Sequence, residues 1–268
     1  MLTWCDIGVN LFNGQFDTDR ALVLHSAAEA GVRQLILIGS DIAESEQNRQ
    51  LCAQYKGCFS TAGVHPHYSA STEHNWLSQL QALLKSPDVI AIGECGLDFN
   101  RDFSPRATQQ QVFAEQLQLA STTAKPVYLH ERDAFDTQLA MLKEANIKHG
   151  VAHCFTGDTQ QLKAWLDLGL YIGITGWLCD ERRGDALRQA LHYIPLDRLL
   201  LETDAPYLLP RNLSPKPVSR RCEPKHLPHI AATVATLRQL DLSALAEITL
   251  SNSRRLFNLP DHLIALEA

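Results

Sequence analysis

Four short apolar runs in this 268-residue chain each end in a residue type that binds metal ions: VIAIG before Glu94, PVYL before His130, GVA before His153 and LLLET before Asp204. A carboxylate can ligate one cation or bridge two, and a neutral imidazole offers one nitrogen. Taken singly, a histidine or carboxylate at a strand end is usually a solvated terminus or a satisfied polar group. Several that converge on one mouth are costly to bury without a shared cationic partner. Glu94, His130, His153 and Asp204 are therefore expected to surround one or two divalent cations. Nitrogen and oxygen ligands without thiolate permit Mg2+, Mn2+ or Zn2+ and do not choose among them. Asp204 is the candidate that also orients or deprotonates an attacking water, with Glu94 beside it in the catalytic set.

Other polar residues fall close by in sequence. His65 and His67 follow a third apolar run as VHPH, where Pro66 also suits a turn; His65 is assigned to the site and His67 is left open. Asp6 and Asn10 flank the end of the first run, where they would complete a second, oxygen-rich cation site or hold a water network. Arg132 and Asp133 read as a solvated pair at a helix start. Cys95 and Cys154 each adjoin a proposed ligand, so strand alternation points them to the opposite side and into packing. The sequence contains neither a GxSxG elbow nor a phosphate-binding P-loop, which removes support for serine nucleophile chemistry and for nucleotide hydrolysis.

The elements that must position these groups are β-rich runs at Trp4 to Val9, Gln34 to Ile38, Phe59 to Val64, Val89 to Gly93, Pro126 to His130, Gly150 to Cys154, Leu170 to Thr175 and Arg198 to Thr203. Most are continuously apolar, as parallel strands buried on both faces must be. Helical patterns separate them: Asp17 to Gly31, a helix capped by Ser104 and Pro105, and Asp158 to Gly169 with Leu162, Trp165 and Leu166 on one face. Eight such units, without internal similarity, predict an α/β fold of the TIM-like (β/α)8 type, one domain over residues 1–268, with an open doubly wound sheet as the alternative. In that barrel the strand-ending residues share one face. Ala205 to Lys225, rich in proline, is expected to be a long active-site loop.

Bulk properties are those of a globular protein, with 45% hydrophobic and 20% charged residues. The seven cysteines are scattered, without the CxxC pairing of zinc ribbons or redox motifs. The start lacks a basic, apolar leader and no run reaches bilayer length, so the cytoplasm is the default expectation, with a monomer and no membrane partner. A net charge of −6 gives no general attraction for nucleic acid, so a polyanionic substrate needs local positive charge or bound cations.

Five segments in order, GVHPH, IGECGLDF, HERDA, HCFTG and ETDAPYL, give the chain a resemblance to the TatD family of metal-dependent deoxyribonucleases among the amidohydrolase-like barrels. The resemblance implies that Glu94, His130 and His153 bind metal, that Asp204 serves the metal centre and that His65 lies in the substrate site. Many family members carry HxH after the first strand; here DIGVN puts Gly8 and Asn10 there, implying one firm cation and a weak or substrate-recruited second. The DIGVNL start, GITGWLCDERRG and SPKPVSRRCEP resemble a subgroup associated with magnesium-dependent exonuclease action from the 3′ end of single-stranded DNA and also RNA, in DNA repair or nucleic-acid turnover. Between Ala205 and Lys225, Arg211, Lys216, Arg220, Arg221 and Lys225 face one acid, Glu223, and Arg220 and Arg221 are expected to contact phosphate. Arg182 and Arg183 are weaker candidates because Asp180, Glu181 and Asp185 surround them. A small-molecule amide, lactone or phosphoester hydrolase and a decayed, binding-only barrel are the alternatives.

Overall fold

The computed structural model describes residues 2–264. Eight strands run in chain order: β1 (Trp4–Val9), β2 (Val32–Leu37), β3 (Cys58–Ala62), β4 (Val89–Asp98), β5 (Val127–Arg132), β6 (Gly150–Ala152), β7 (Tyr171–Ile174) and β8 (Leu199–Leu201). Each pairs in parallel with the next, giving the spatial order β1 to β8. The seam closes through Val9 and Ala205, with Asp204 N donating to Gly8 O at 2.9 Å and Asn10 N to Ala205 O at 2.8 Å. The barrel, rather than the open sheet, is the outcome.

Helices α1 (Arg20–Glu29), α2 (Ile42–Cys52), α3 (Trp76–Leu83), α4 (Arg106–Ser121), α5 (Phe135–Glu144), α6 (Thr159–Asp167), α7 (Asp185–Leu191), α8 (Leu227–Arg238) and α9 (Leu242–Phe257) cover it. Period-two alternation sorts the strand side chains into two apolar clusters. Trp4, Val9, Leu35 and Leu37 belong to the cluster that includes helix residues such as Leu24 and Leu80. Cys5, Ile7, Ile36, Phe59, Tyr128 and Leu200 form the other, to which α9 adds Leu256 and Phe257.

Local signals behave as their physics requires, with two corrections. The Asp158 carboxylate caps α6, completing a reciprocal box with Gln161. Pro105 rather than Ser104 occupies the N-cap of α4. Ser104 Oγ instead accepts from Ala70 N and donates to the His67 carbonyl, tying down the turn that carries the histidines. The second correction concerns β4, which continues past Gly93 to Asp98. Backbone groups there are satisfied by buried glutamines: Gln138 Oε1 accepts from Leu97 N, and Gln109 bonds both N and O of Asp98. That extension carries Asp98 to the mouth of the barrel.

Candidate metal centre

Glu94 Oε1 is the hub of the strand-end cluster. It lies 3.0 Å from His130 Nδ1, 3.6 Å from His65 Nε2 and 3.7 Å from His153 Nε2. Burial opposes ionisation of Glu94, but the surrounding histidines overcome it and hold the carboxyl well below its usual range. β4, β5 and the ends of β3 and β6 supply these side chains, so four neighbouring strands aim at one point.

Hydrogen bonds separate the roles of the imidazoles. His153 Nδ1 faces the fully buried Glu202 carboxylate at 2.6 Å, so Nδ1 keeps its proton and Nε2 is the nitrogen that offers a lone pair once a cation displaces its own proton. That nitrogen lies 3.7 Å from Glu94 Oε1 and 3.9 Å from Asp204 Oδ1, between two carboxylates. His65 is the reverse case. Its Nδ1 accepts from His67 N at 3.1 Å, which leaves the proton on Nε2, facing the cavity. Burial lowers the His65 pKa to about 3, so the ring is a neutral donor. His130 has carboxylates on both sides; burial resists its charging, yet Asp98 and Glu94 raise its pKa to about 9. Its Nε2 is 3.4 Å from Asp98 Oδ2 but poorly directed, and is buried with no hydrogen-bond partner.

The region around Gly8 explains the departure from HxH. A Cβ on Gly8 would meet Glu202 Oε2 at 2.5 Å, Tyr128 Oη at 2.6 Å and His153 Cε1 at 3.4 Å. The space for a ligand side chain is filled by the group that orients His153, with Tyr128 Oη donating to Glu202 Oε2 at 2.9 Å. Asn10 does not point its amide oxygen at a cation; its Nδ2 donates to Asp204 Oδ1 at 3.0 Å. Asp6 is equally spent, accepting from Gly8 N, Thr203 N and Thr203 Oγ1. Burial pushes the Asp204 carboxyl up to about 7 against the pull of His153, with Glu94 and Glu202 adding to the rise.

His67 joins the cluster through Asp98, with Nε2 2.7 Å from Oδ2. Cys154 is a correction. β6 ends at Ala152, and Cys154 has φ 46°, so alternation lapses and its sulfur lies within 4.8 Å of donor atoms of His153 and Asp204. Arg221 departs from the phosphate role expected of it: it binds Asp19 at 2.7 Å and Glu223 at 2.9 Å and covers the Phe16 ring, anchoring the loop. Arg220 lies outside the metal-facing cavity, in a neighbouring one. The 205–225 loop divides likewise: Tyr207 and Leu208 border the site, and much of the remainder lines the neighbour. Arg132 borders the site cavity, and Asp133 accepts from Asn100 Nδ2 at 2.6 Å.

Glu94, His153 and Asp204, with His130 beside them, present two carboxylates and imidazole nitrogen to a cavity of about 580 Å3. His153 Nε2, between Glu94 and Asp204, and His130 Nδ1, 3.0 Å from Glu94, bring imidazole nitrogen beside the two carboxylates, so the donor set fits a divalent cation.

Residues 5–258 match the family model described as TatD related DNase. The chain is 51% identical over 256 residues to the 3'-5' ssDNA/RNA exonuclease TatD of Klebsiella pneumoniae (strain 342), covering 95% of this chain and 97% of that one. Identity to the 3'-5' ssDNA/RNA exonuclease TatD of Salmonella typhimurium is 50% over 254 residues, covering 94% and 98%. Among solved structures, the TatD homolog YJJV from Escherichia coli k12 superposes with a TM-score of 0.88 at 30% identity, covering 96% of this chain and 98% of the other.

Proposed function

From the premise that the chain belongs to the TatD related DNase family of metal-dependent nucleases, we propose that it is a 3′–5′ exonuclease hydrolysing phosphodiester bonds of single-stranded DNA and RNA. The observation that carries this reading is the 2.6 Å contact between Glu202 and His153 Nδ1, which aims Nε2 between Glu94 and Asp204.

Glu94, His130, His153 and Asp204 would hold the divalent cation, for which Mg2+ is proposed and Mn2+ or Zn2+ suits the same donors. When bound, such an ion lowers the pKa of a coordinated water and offsets charge on the phosphate. Asp204, held in aim by Asn10, takes a proton from the attacking water. His65 donates a hydrogen bond from Nε2 to a non-bridging phosphate oxygen, and as a neutral donor it does so without competing for the cation. The water oxygen bonds to phosphorus as the bond to the 3′-oxygen breaks, the bonding pair leaving with that oxygen, which takes up the proton held by Asp204 to become the 3′-hydroxyl.

Arg221 is committed to holding the loop, and Arg220 is the member of the expected pair still free to meet the strand. Among the described residues no helix is long and apolar enough to cross a membrane, and a cytoplasmic monomer engaged in DNA repair or nucleic-acid turnover accords with such an activity. The retained donors argue against a decayed barrel.

The test is to follow end-labelled single- and double-stranded oligonucleotides with purified protein in Mg2+, Mn2+, Zn2+ or chelator. A ladder shortening from the 3′ end, lost in Glu94→Ala and His153→Ala proteins that still fold, is expected. Full activity in either variant overturns the assignment.

A further inference from the structure

The metal-facing cavity adjoins two others of opposite character. One, of about 340 Å3, shares Asp41, Ala43 and Tyr68 with it and is lined by the acids Asp41, Glu46 and Glu73, with no lysine or arginine. The second, of about 740 Å3, shares Trp177 and Leu208 with it and is lined by Arg182, Arg183, Arg211, Lys216 and Arg220 against the single acid Asp180. In a chain with net charge −6 this is a local reversal of sign.

The arginines are arranged rather than merely nearby. Asp180, whose side chain is 3% exposed, lies 3.0 Å from Arg183, 3.4 Å from Arg182 and 3.7 Å from Arg211. A buried carboxylate with two oxygens cannot satisfy three guanidinium groups of five N–H donors each. The side chains of Arg182, Arg183 and Arg211 stay exposed, at 58%, 55% and 45%, with donors to spare. Glu181 approaches Arg211 at 3.6 Å and offsets part of the charge. Arg183 is stacked over the Trp177 ring at 4.2 Å, which fixes a cation at the boundary between the two cavities.

A strand shortened from its 3′ end has one nucleotide beyond the scissile bond and all the rest on the 5′ side. That remainder must leave the site, and a polyanion is repelled by the acidic neighbour and attracted by the basic one. We propose that the basic cavity is the track for the sugar–phosphate backbone 5′ of the scissile bond, entered across Trp177, with Arg182, Arg183 and Arg211 as phosphate contacts. The proposal rests on the exonuclease reading and gives that site its direction of approach. The contacts are to backbone, so binding is indifferent to base sequence.

The test is fluorescence anisotropy with phosphorothioate-linked single strands, a trinucleotide and one of about 12 nucleotides, a length within the span of a single-strand groove. Each is titrated at several salt concentrations, alongside the shortening assay on ordinary strands. In the wild-type protein the longer strand is expected to have the steeper salt dependence. In Arg182→Ala/Arg183→Ala its log–log slope should become shallower by about 1.4, at about 0.7 per lost phosphate contact, while the slope for the trinucleotide changes less. Should that variant melt early, Arg211→Gln combined with Lys216→Ala, on the loop, gives the same reading. Equal slopes for the two lengths in the wild-type protein, or an unaltered slope in folded variants, overturn the proposal. Failure of the wild-type protein to shorten any strand overturns the exonuclease reading instead, and the binding data still report on the track.

Discussion

Glu202 and His153 form one buried unit, with the carboxylate Oε2 2.6 Å from the imidazole Nδ1 and both side chains at most 3% exposed. Tyr128 Oη and the Cys154 amide complete the coordination of that carboxylate. Removing its charge frees the ring to rotate and weakens the basicity of Nε2. Glu202→Gln should therefore lower divalent-metal affinity by about 10- to 100-fold, the usual cost of losing such a partner. Calorimetric titration checks it, and unchanged affinity would count against the orienting role.

Gly8 should tolerate no side chain. Its Cβ position is 2.5 Å from Glu202 Oε2 and 2.6 Å from Tyr128 Oη. Gly8→Ala is expected to destabilise the fold by about 1–3 kcal/mol, the range for overpacking a buried site, as read by denaturant melts. By the same geometry, restoring HxH through Gly8→His and Asn10→His should disturb His153 rather than add a firm second ion. A second tight metal equivalent in that double variant would contradict this.

His65 and His153 should fail differently when removed. His153 offers a lone pair to the cavity and His65 offers a proton. His153→Ala is expected to lose tight metal binding. His65→Ala should bind metal as the parent does, yet cleave more slowly by about 100- to 1,000-fold, in the range for loss of one donor to a developing transition-state charge. If both variants lose metal alike, the tautomer argument fails.

The pKa values of His130 and His153 are raised from 6.5 to about 9 and about 10, in each case despite burial and because of adjacent carboxylates. A raised value means the folded state favours the proton, so in chelator this contribution to stability is fully present below the ordinary imidazole value of 6.5 and is lost as pH rises through about 9 to 10. A metal must displace those protons. Binding at neutral pH should release protons and tighten as pH rises, measurable by calorimetry in buffers of differing ionisation enthalpy. Binding without proton release would refute it.

The positions of Glu94, His130, His153 and Asp204 are legible in the sequence because parallel strands buried on both faces read as apolar runs, and a barrel places their ends together. Glu202 was open to the same reasoning. It sits two residues before Asp204, on the same face by alternation, but lies inside the run LLLET and passes for part of the strand. Asp98 escaped for a related reason: the strand-end rule assumes a short strand, and β4 extends four residues beyond Glu94. Alternation misassigned Cys154 because a left-handed residue beyond the strand breaks the period. The charge of Arg221 was visible, but not its partner Asp19, which is 202 residues away in the chain. Local signals reveal which groups are available; only the tertiary fold decides which are already taken.

The seam between β1 and β8 joins the first strand-end to the last, through Asp204 N to Gly8 O and Asn10 Nδ2 to Asp204 Oδ1. Under the proposed mechanism the water-activating carboxylate is thus positioned by residues made at the opposite end of synthesis. A chain cut short before Asp204, or stripped of its first strand, holds histidines and Glu94 but has no aimed base. Incomplete translation or proteolytic clipping then leaves a fragment without an aimed base, so under that mechanism activity requires both ends of the barrel.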